Sequence, residues 1–256
     1  MEEQLKMSFT FKVRSYECGP DGAATLATIG NYLQEAAGEH AEALGFSKSN
    51  FEAAGANISW VLTRLRVKMS RYPRWGETVT LETYPRGGRR ITAYRDFILW
   101  VGGERLGVAT SEWMIIDLST RKIVPVPASV YEHVDDALSP VLGSEPFTKL
   151  SWACAETAGE KSFRAQRGHI DLNGHVNNVH YVEWLVETLP ETVGPIRDFE
   201  IVFKSETLAG EEVRAASVEV EPGVWAAHVA SASGQNHVIA RLIGGGPVPC
   251  EDAFGA

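Results

Sequence analysis

Residues 171–184 read Asp171-Leu172-Asn173-Gly174-His175-Val176-Asn177-Asn178-Val179-His180-Tyr181-Val182-Glu183-Trp184, with a carboxylate, an amide and an imidazole at alternate positions directly before a helix-like stretch. Residues two apart in an extended lead-in share a face, so Asp171, Asn173 and His175 are expected to point the same way. They are then expected beside the unpaired N–H groups that open a helix. Taken singly, Asp171 and Asn173 read as turn or helix-cap residues, and His175 as a satisfied, half-buried histidine. The combination at this spacing points instead to acid–base chemistry. Asn177 is read either as a helix cap or as a substrate contact.

Working outward, the helix that follows carries a stripe of Val179, Val182, Val186 and Leu189, and the first half of the chain repeats the pattern. There, a strand from Phe9 to Tyr16 leads through Gly19-Pro20-Asp21-Gly22 into a helical stripe of Leu26, Ile29, Leu33 and Ala36, with Asn31-Tyr32 placed like His180-Tyr181. Phe163 to Gln166, Gly168 and Asp171 open the second copy in the same way. Alternating strands follow each helix, and Gly76-Glu77 and Gly210-Glu211 turn the chain at matching points. The later strands run Ile91–Trp100, Arg105–Ile116, Trp225–Ala232 and His237–Ile243. Short turns between adjacent strands exclude a doubly wound parallel sheet. The pattern predicts an α+β fold of two antiparallel sheets, each wrapped around a long helix. Residues 1–130 form one unit, 131–160 a linker and 161–256 a second unit, with 247–256 as a loose tail. Gly87-Gly88 and Gly244-Gly245-Gly246 lack the lysine and helix context of a phosphate loop and are read as turns.

Length and composition fit this scheme. The chain has 256 residues, 44% of them hydrophobic, enough for a packed core in one large domain or two of about 130. No basic and apolar leader opens it, no apolar run approaches the ~18 residues of a membrane span, and no lipidation motif closes it. A cytoplasmic protein is expected. Cys18, Cys154 and Cys250 match no metal-ligand spacing and are expected as free thiols; no metal or cofactor is implied. A net charge of −9 argues against nucleic-acid binding, yet residues 57–125 hold 12 basic and 6 acidic side chains. Arg64, Arg66 and Lys68 share a strand face, and Arg86, Arg89 and Arg90 crowd a turn. These cations read either as solvated or as a face for a small acidic partner.

The architecture resembles the hotdog fold, and two copies in one chain resemble the acyl-acyl carrier protein thioesterases of fatty-acid synthesis. Asp171-x-Asn173-x-His175-Val176-Asn177-Asn178-Val179-x-Tyr181-x-x-Trp184 is similar to that family's signature almost position for position. The family places a catalytic glutamate and a cysteine after a later strand; here Glu206 and Thr207 occupy those places. The resemblance therefore implies hydrolysis by activated water, without a covalent acyl-enzyme, on a phosphopantetheine-linked acyl chain carried by acyl carrier protein.

Within that scheme Glu206 or Asp171 accepts a proton from water, and Glu206 with His175 as partner is favoured. Asn173 faces the carbonyl, and Asp171 holds Asn173 or the helix start. The first copy lacks the Asp-x-Asn-x-His set, so by resemblance it supplies the acyl pocket, with Leu26, Ile29 and Leu33 as wall residues. Arg86, Arg89 and Arg90 are candidates for meeting the acidic carrier or its phosphate. The same chemistry on coenzyme A thioesters and a non-catalytic acyl-binding module are the alternatives. A tandem chain already contains two copies, so both a monomer and a homodimer are compatible with it.

Overall fold

The computed structural model describes residues 5–135, 137–153 and 157–245. The first half runs β1 (Met7–Lys12), α1 (Leu26–Ala43), α2 (Lys48–Ala53), β2 (Ile58–Met69), β3 (Thr78–Arg89), β4 (Thr92–Val101), β5 (Glu104–Asp117), β6 (Ile123–Val124) and α3 (Ala128–Tyr131). The second runs β7 (Gly159–Arg164), α4 (Asn178–Val186), β8 (Ile196–Phe203), β9 (Glu212–Glu221), β10 (Val224–Ser231) and β11 (Asn236–Gly244).

Both helices start on side-chain caps: Thr25 Oγ1 accepts the Thr28 N–H at 3.0 Å, and Asn177 Oδ1 accepts the Val179 N–H at 3.2 Å. Leu26, Ile29, Leu33, Ala36 and Ala37 put one face of α1 into the core. The second helix is shorter than its apolar stripe suggests. It ends at Val186, because Pro190 cannot continue a helix and biases Leu189 out of helical backbone. The two helices cross at Gly30, where an added Cβ would lie 3.2 Å from Val179 Cγ1.

The two expected sheets are joined into one. Its order is β1-β3-β4-β5-β2-β8-β11-β10-β9-β7, with β6 off β5, and every pairing is antiparallel. The seam is β2–β8, in which Arg64 faces Val202 and Lys68 faces Asp198. Inward residues on either side of it, Leu65, Val67, Phe199 and Ile201, belong to a single core cluster that holds both helices. Gly87-Gly88 is strand, not turn. A register shift after Pro85 carries β3 on to Arg89, and the hairpin reverses at Arg90 and Ile91. Gly244 likewise is the last residue of β11, paired with Ile196, whereas Gly246, Cys154, Cys250 and the expected tail at 247–256 lie outside the described residues.

On the opposite face of the seam two of the middle region's cations, Arg64 and Arg66, are already partnered. Arg66 binds Asp198 through Nε and Nη2 at 3.0 and 2.6 Å, which raises its pKa. Arg64 Nη2 reaches Glu200 at 2.7 Å. The segment between the halves seals this row: Pro146 O accepts from Arg66, Thr148 donates twice to Glu200, and Phe147 stacks on the Arg64 guanidinium. These arginines are therefore neither a solvated face nor open to a partner. They stitch the two halves together. Glu200 is 1% exposed, so removing its carboxylate strands Arg64 in a desolvated setting. Glu200→Ala is expected to cost about 3 kcal/mol or more. Glu187→Ala, which breaks the exposed Lys161–Glu187 pair, is expected to cost no more than about 1 kcal/mol. Denaturant unfolding of the two variants checks the difference.

Candidate functional site

Residues 170–177 form a tight loop rather than an extended lead-in. Ile170 and Val176 pair as an isolated bridge, the Asp171 N–H donates to His175 O at 2.9 Å, and the Gly174 N–H donates to Asp171 O at 3.1 Å. The Asp171 carboxylate organises the interior. Its Oδ1 accepts from the N–H of Asn173 at 2.8 Å and of His175 at 3.4 Å, and Oδ2 accepts from Asn173 Nδ2 at 3.3 Å. An aspartate bonding its own backbone two residues on bends the chain. Gly174, at φ +83°, completes the reversal. The alternate spacing therefore does not line up three side chains on one face; it places Asp171 and His175 at the two feet of a turn with Asn173 at its tip.

A second segment docks on this loop. The Val176 N–H donates to Thr207 O at 3.0 Å, which brings the strand end after β8 alongside His175. His175 Nε2 then lies 3.0 Å from Glu206 Oε2. The same oxygen takes Nη2 of Arg121, from the turn between β5 and β6 in the other half of the chain. His175 is 22% exposed and Glu206 37%, so the pair is open to water. The Thr207 side chain, by contrast, is fully buried. Asn177 caps α4, and its N–H donates to His169 O. Arg121 was not legible in the sequence, because a lone arginine in a surface turn gives no signal of its own.

The duplication explains why only one loop is so equipped. Bond for bond, the first half repeats the second: Gly19 N–H to Ala23 O, Gly22 N–H to Gly19 O and Ala24 N–H to Pro73 O match the bonds of Asp171, Gly174 and Val176. Cys18 and Ala24 form the matching bridge, and Gly22 has φ +75°. Glu77 and Glu211 accept the equivalent N–H groups of Arg74 and Leu208. This register sets Gly19, Asp21, Ala23 and Tyr72 where the second half has Asp171, Asn173, His175 and Glu206. The first copy keeps the backbone but not these four side chains. It also corrects the expected pairing of the two tyrosines. Counted from the caps, Tyr181 corresponds to Ile29, while Tyr32 sits three residues further along and donates its hydroxyl to Glu17 at 2.8 Å.

A groove of about 1320 Å³ starts at Asp171, Leu172, Asn173 and Asn177 and follows α1 over the first half-sheet. Its walls include Phe11, Tyr32, Leu44, Phe46, Trp60, Ala93, Tyr94 and Trp113. Arg14, Lys48 and Arg95 are among its lining residues; Arg95 contacts His40 Nδ1 at 2.8 Å and Thr83 Oγ1 at 3.2 Å, and burial lowers its pKa to about 10. Leu26, Ile29 and Leu33 do not line this groove. They face the packed core, and other positions of α1, among them Asn31, Gln34 and Gly38, form the wall. Arg86 is largely occupied, 10% exposed, bonded to Ser144 O and stacked on Tyr94. Arg89 and Arg90 project at the β3–β4 tip, where Arg89 meets Glu145 at 3.7 Å with both side chains 83% exposed. The strand register sets that tip and Glu206 at the same end of the sheet, and the three spacings from β4 to β8 separate them by roughly 14 Å. Among the described residues no group of three or more His, Cys, Asp or Glu side chains is placed to hold a metal, and no helix is long and apolar enough to cross a membrane.

Residues 4–134 match the family model of the acyl-ACP thioesterase N-terminal domain, and residues 153–243 that of the C-terminal domain. The chain is 31% identical over 221 residues to oleoyl-acyl carrier protein thioesterase 1, chloroplastic, of Arabidopsis thaliana, covering 78% of this chain and 59% of that protein. It is 33% identical over 201 residues to palmitoyl-acyl carrier protein thioesterase, chloroplastic, of Gossypium hirsutum, covering 74% and 48%. The chain thus spans about half the length of the curated relatives it matches. Among solved structures, an acyl-ACP thioesterase from Bacteroides thetaiotaomicron superposes with a TM-score of 0.85 at 25% identity, covering 95% of this chain and 99% of that one. The 12:0-ACP thioesterase from Umbellularia californica gives 0.82 at 26% identity, covering 93% and 96%. The architecture is accordingly the tandem hotdog fold.

The backbone of the loop yields a prediction of its own. Nothing lies within 4 Å of an added Cβ at Gly174, so Gly174→Ala carries only the cost of a side chain at φ +83°, about 1–2 kcal/mol. Gly168→Ala, equally open and without the positive φ, is expected to stay within about 0.5 kcal/mol of the parent in the same unfolding measurement.

Proposed function

Because the chain belongs to the acyl-ACP thioesterase family, we propose that it hydrolyses the thioester joining a fatty acyl chain to the phosphopantetheine arm of acyl carrier protein. The observation that carries the proposal is a His175–Glu206 pair, with His175 on the same loop as Asp171 and Asn173, which themselves line one end of a long, aromatic-lined groove; His175 and Glu206 are not among its lining residues. A groove of this kind takes an acyl chain, and a partly open polar pair by the loop at its end takes water.

Both oxygens of Asp171 are engaged by the loop, which favours Glu206 as the base. Oε2 of Glu206 is held by His175 and Arg121, leaving Oε1 for water. In the reaction, the water oxygen bonds to the thioester carbon while Glu206 Oε1 takes its proton. The carbonyl oxygen becomes an oxyanion, and the Asn173 Nδ2 hydrogen not given to Asp171 stabilises it. Collapse of the tetrahedral centre breaks the C–S bond, with its electron pair going to sulfur. The proton returns from Glu206, directly or through His175, to give the carrier thiol and the free fatty acid. No protein nucleophile is needed. The Thr207 side chain, where the family has cysteine, is sealed from substrate, and desolvation together with Glu17 and Asp21 pushes the Cys18 thiol up, away from the reactive thiolate.

Free-thiol release from acyl-carrier substrates of increasing chain length, with coenzyme A thioesters in parallel, tests this function; no release from any substrate sinks it. Glu206→Gln and His175→Ala are expected to lose roughly 10²–10⁴-fold in kcat. Acid-quenched turnover analysed by intact mass is expected to carry no acyl adduct, and an adduct contradicts the water mechanism. Reversing charge at the hairpin tip, Arg89→Glu with Arg90→Glu, is expected to raise KM for carrier-bound substrate and to spare a small thioester. Equal effects on both would refute docking there.

A further inference from the structure

Glu206 follows the end of β8 on a segment without regular structure, more than a third exposed, where a glutamate has rotamer freedom to lose. We propose that Arg121 is the positioning residue of this carboxylate: a guanidinium from the N-terminal half that pins Oε2 against His175 and turns Oε1 toward the water. The proposal rests on the assignment of Glu206 and His175 made above.

The turn that carries Arg121 is built to aim it. The Arg121 N–H donates to Asp117 O at 2.8 Å, and the Asp117 N–H donates to Lys122 O at 2.9 Å. Asp117 Oδ1 takes the N–H groups of Ser119 and Thr120, bonds that lower its pKa. Asn57 anchors the turn from below, accepting the Leu118 N–H and donating to Ser119 Oγ at 2.7 Å. At its end Arg121 sits at φ +57°, the one non-glycine residue with positive φ among the described residues. That conformation usually goes to glycine or asparagine in such hairpins. A bulky side chain persists there when its surroundings over-determine it, and outliers of this kind gather at functional sites.

The side chain emerging from this position ends on Glu206, its one carboxylate partner among the described residues. Arg121 and His175 approach the same oxygen of Glu206, so the carboxylate is fixed in rotation as well as in place. A single ionic contact to a flexible glutamate leaves it free to swing; two on one atom, from different directions, do not. The arrangement also ties the hydrolytic centre of the second half to a turn of the first.

Arg121→Gly separates this role from a structural one, because glycine suits φ +57° and keeps the turn. The account predicts an unchanged unfolding midpoint, a kcat lower by roughly 10–100-fold and an unaltered KM for acyl-carrier substrate. Arg121→Lys is expected to recover part of the loss, and sub-denaturing guanidinium chloride to restore part of the turnover of Arg121→Gly but none of that of Glu206→Gln. Wild-type kcat in Arg121→Gly, with Glu206→Gln inactive, overturns the role of Arg121 and leaves the site assignment standing. A raised KM with kcat intact overturns it too, making Arg121 a substrate contact. Wild-type turnover in Glu206→Gln removes the site assignment and this proposal together.

Discussion

The antiparallel pairing of β2 with β8 is the constraint from which the rest of the molecule follows. It turns two half-sheets into one, merges their inner faces into a single core and sets their ends level. Because β5 lies next to β2, the turn after β5 lands two strand spacings from the end of β8, roughly 10 Å, within reach of one long side chain. Arg121 spans that gap. The buried row of Arg64, Arg66, Asp198 and Glu200 lies on the back of the same seam, with the inter-half segment laid over it. Glu200 is 1% exposed, and a slip of register would leave its charge stranded.

Duplication supplied two copies of one loop, and the chain uses them differently. The first keeps the bridge, the glycine at positive φ and the docking bond to the following strand, but glycine, alanine and tyrosine stand where the second has aspartate, histidine and glutamate. The first half offers a groove along α1, with Trp60 and Trp113 among its walls. The second half surrounds its shorter helix with packed side chains, among them the stacked Phe163 and Trp184. In the proposed reading one half holds the acyl chain and the other cuts the thioester, and the helix contact at Gly30 brings the two halves together.

Much of this was legible in the sequence, where a local signal was sufficient. Alternation and turn glycines located the strands, apolar stripes located both helices, and the signature around His175 located the loop. What was not legible depended on contacts distant in sequence. Pro190 cut α4 short of its stripe, and the β2–β8 seam could not be seen because either strand reads as complete by itself. Arg64 and Arg66 read as a surface feature of the middle region, yet their acidic partners stand some 130 residues later. Leu26, Ile29 and Leu33 carried the strongest apolar pattern on α1, and for that reason they went to the core. The groove took the positions left over. Alternate spacing of Asp171, Asn173 and His175 suggested a shared face, but an aspartate bonding its own backbone and a glycine at positive φ fold the segment into a turn.

The groove and the polar loop are proposed to serve one bound thioester. A crystal structure with an acyl-pantetheine amide, in which nitrogen replaces the thioester sulfur, tests it directly. The account places the amide carbonyl within hydrogen-bonding distance of Asn173 Nδ2, an ordered water between its carbon and Glu206 Oε1, and the acyl tail along α1 past Trp60 and Trp113. A tail lying elsewhere, or a carbonyl remote from the His175–Glu206 pair, would contradict it.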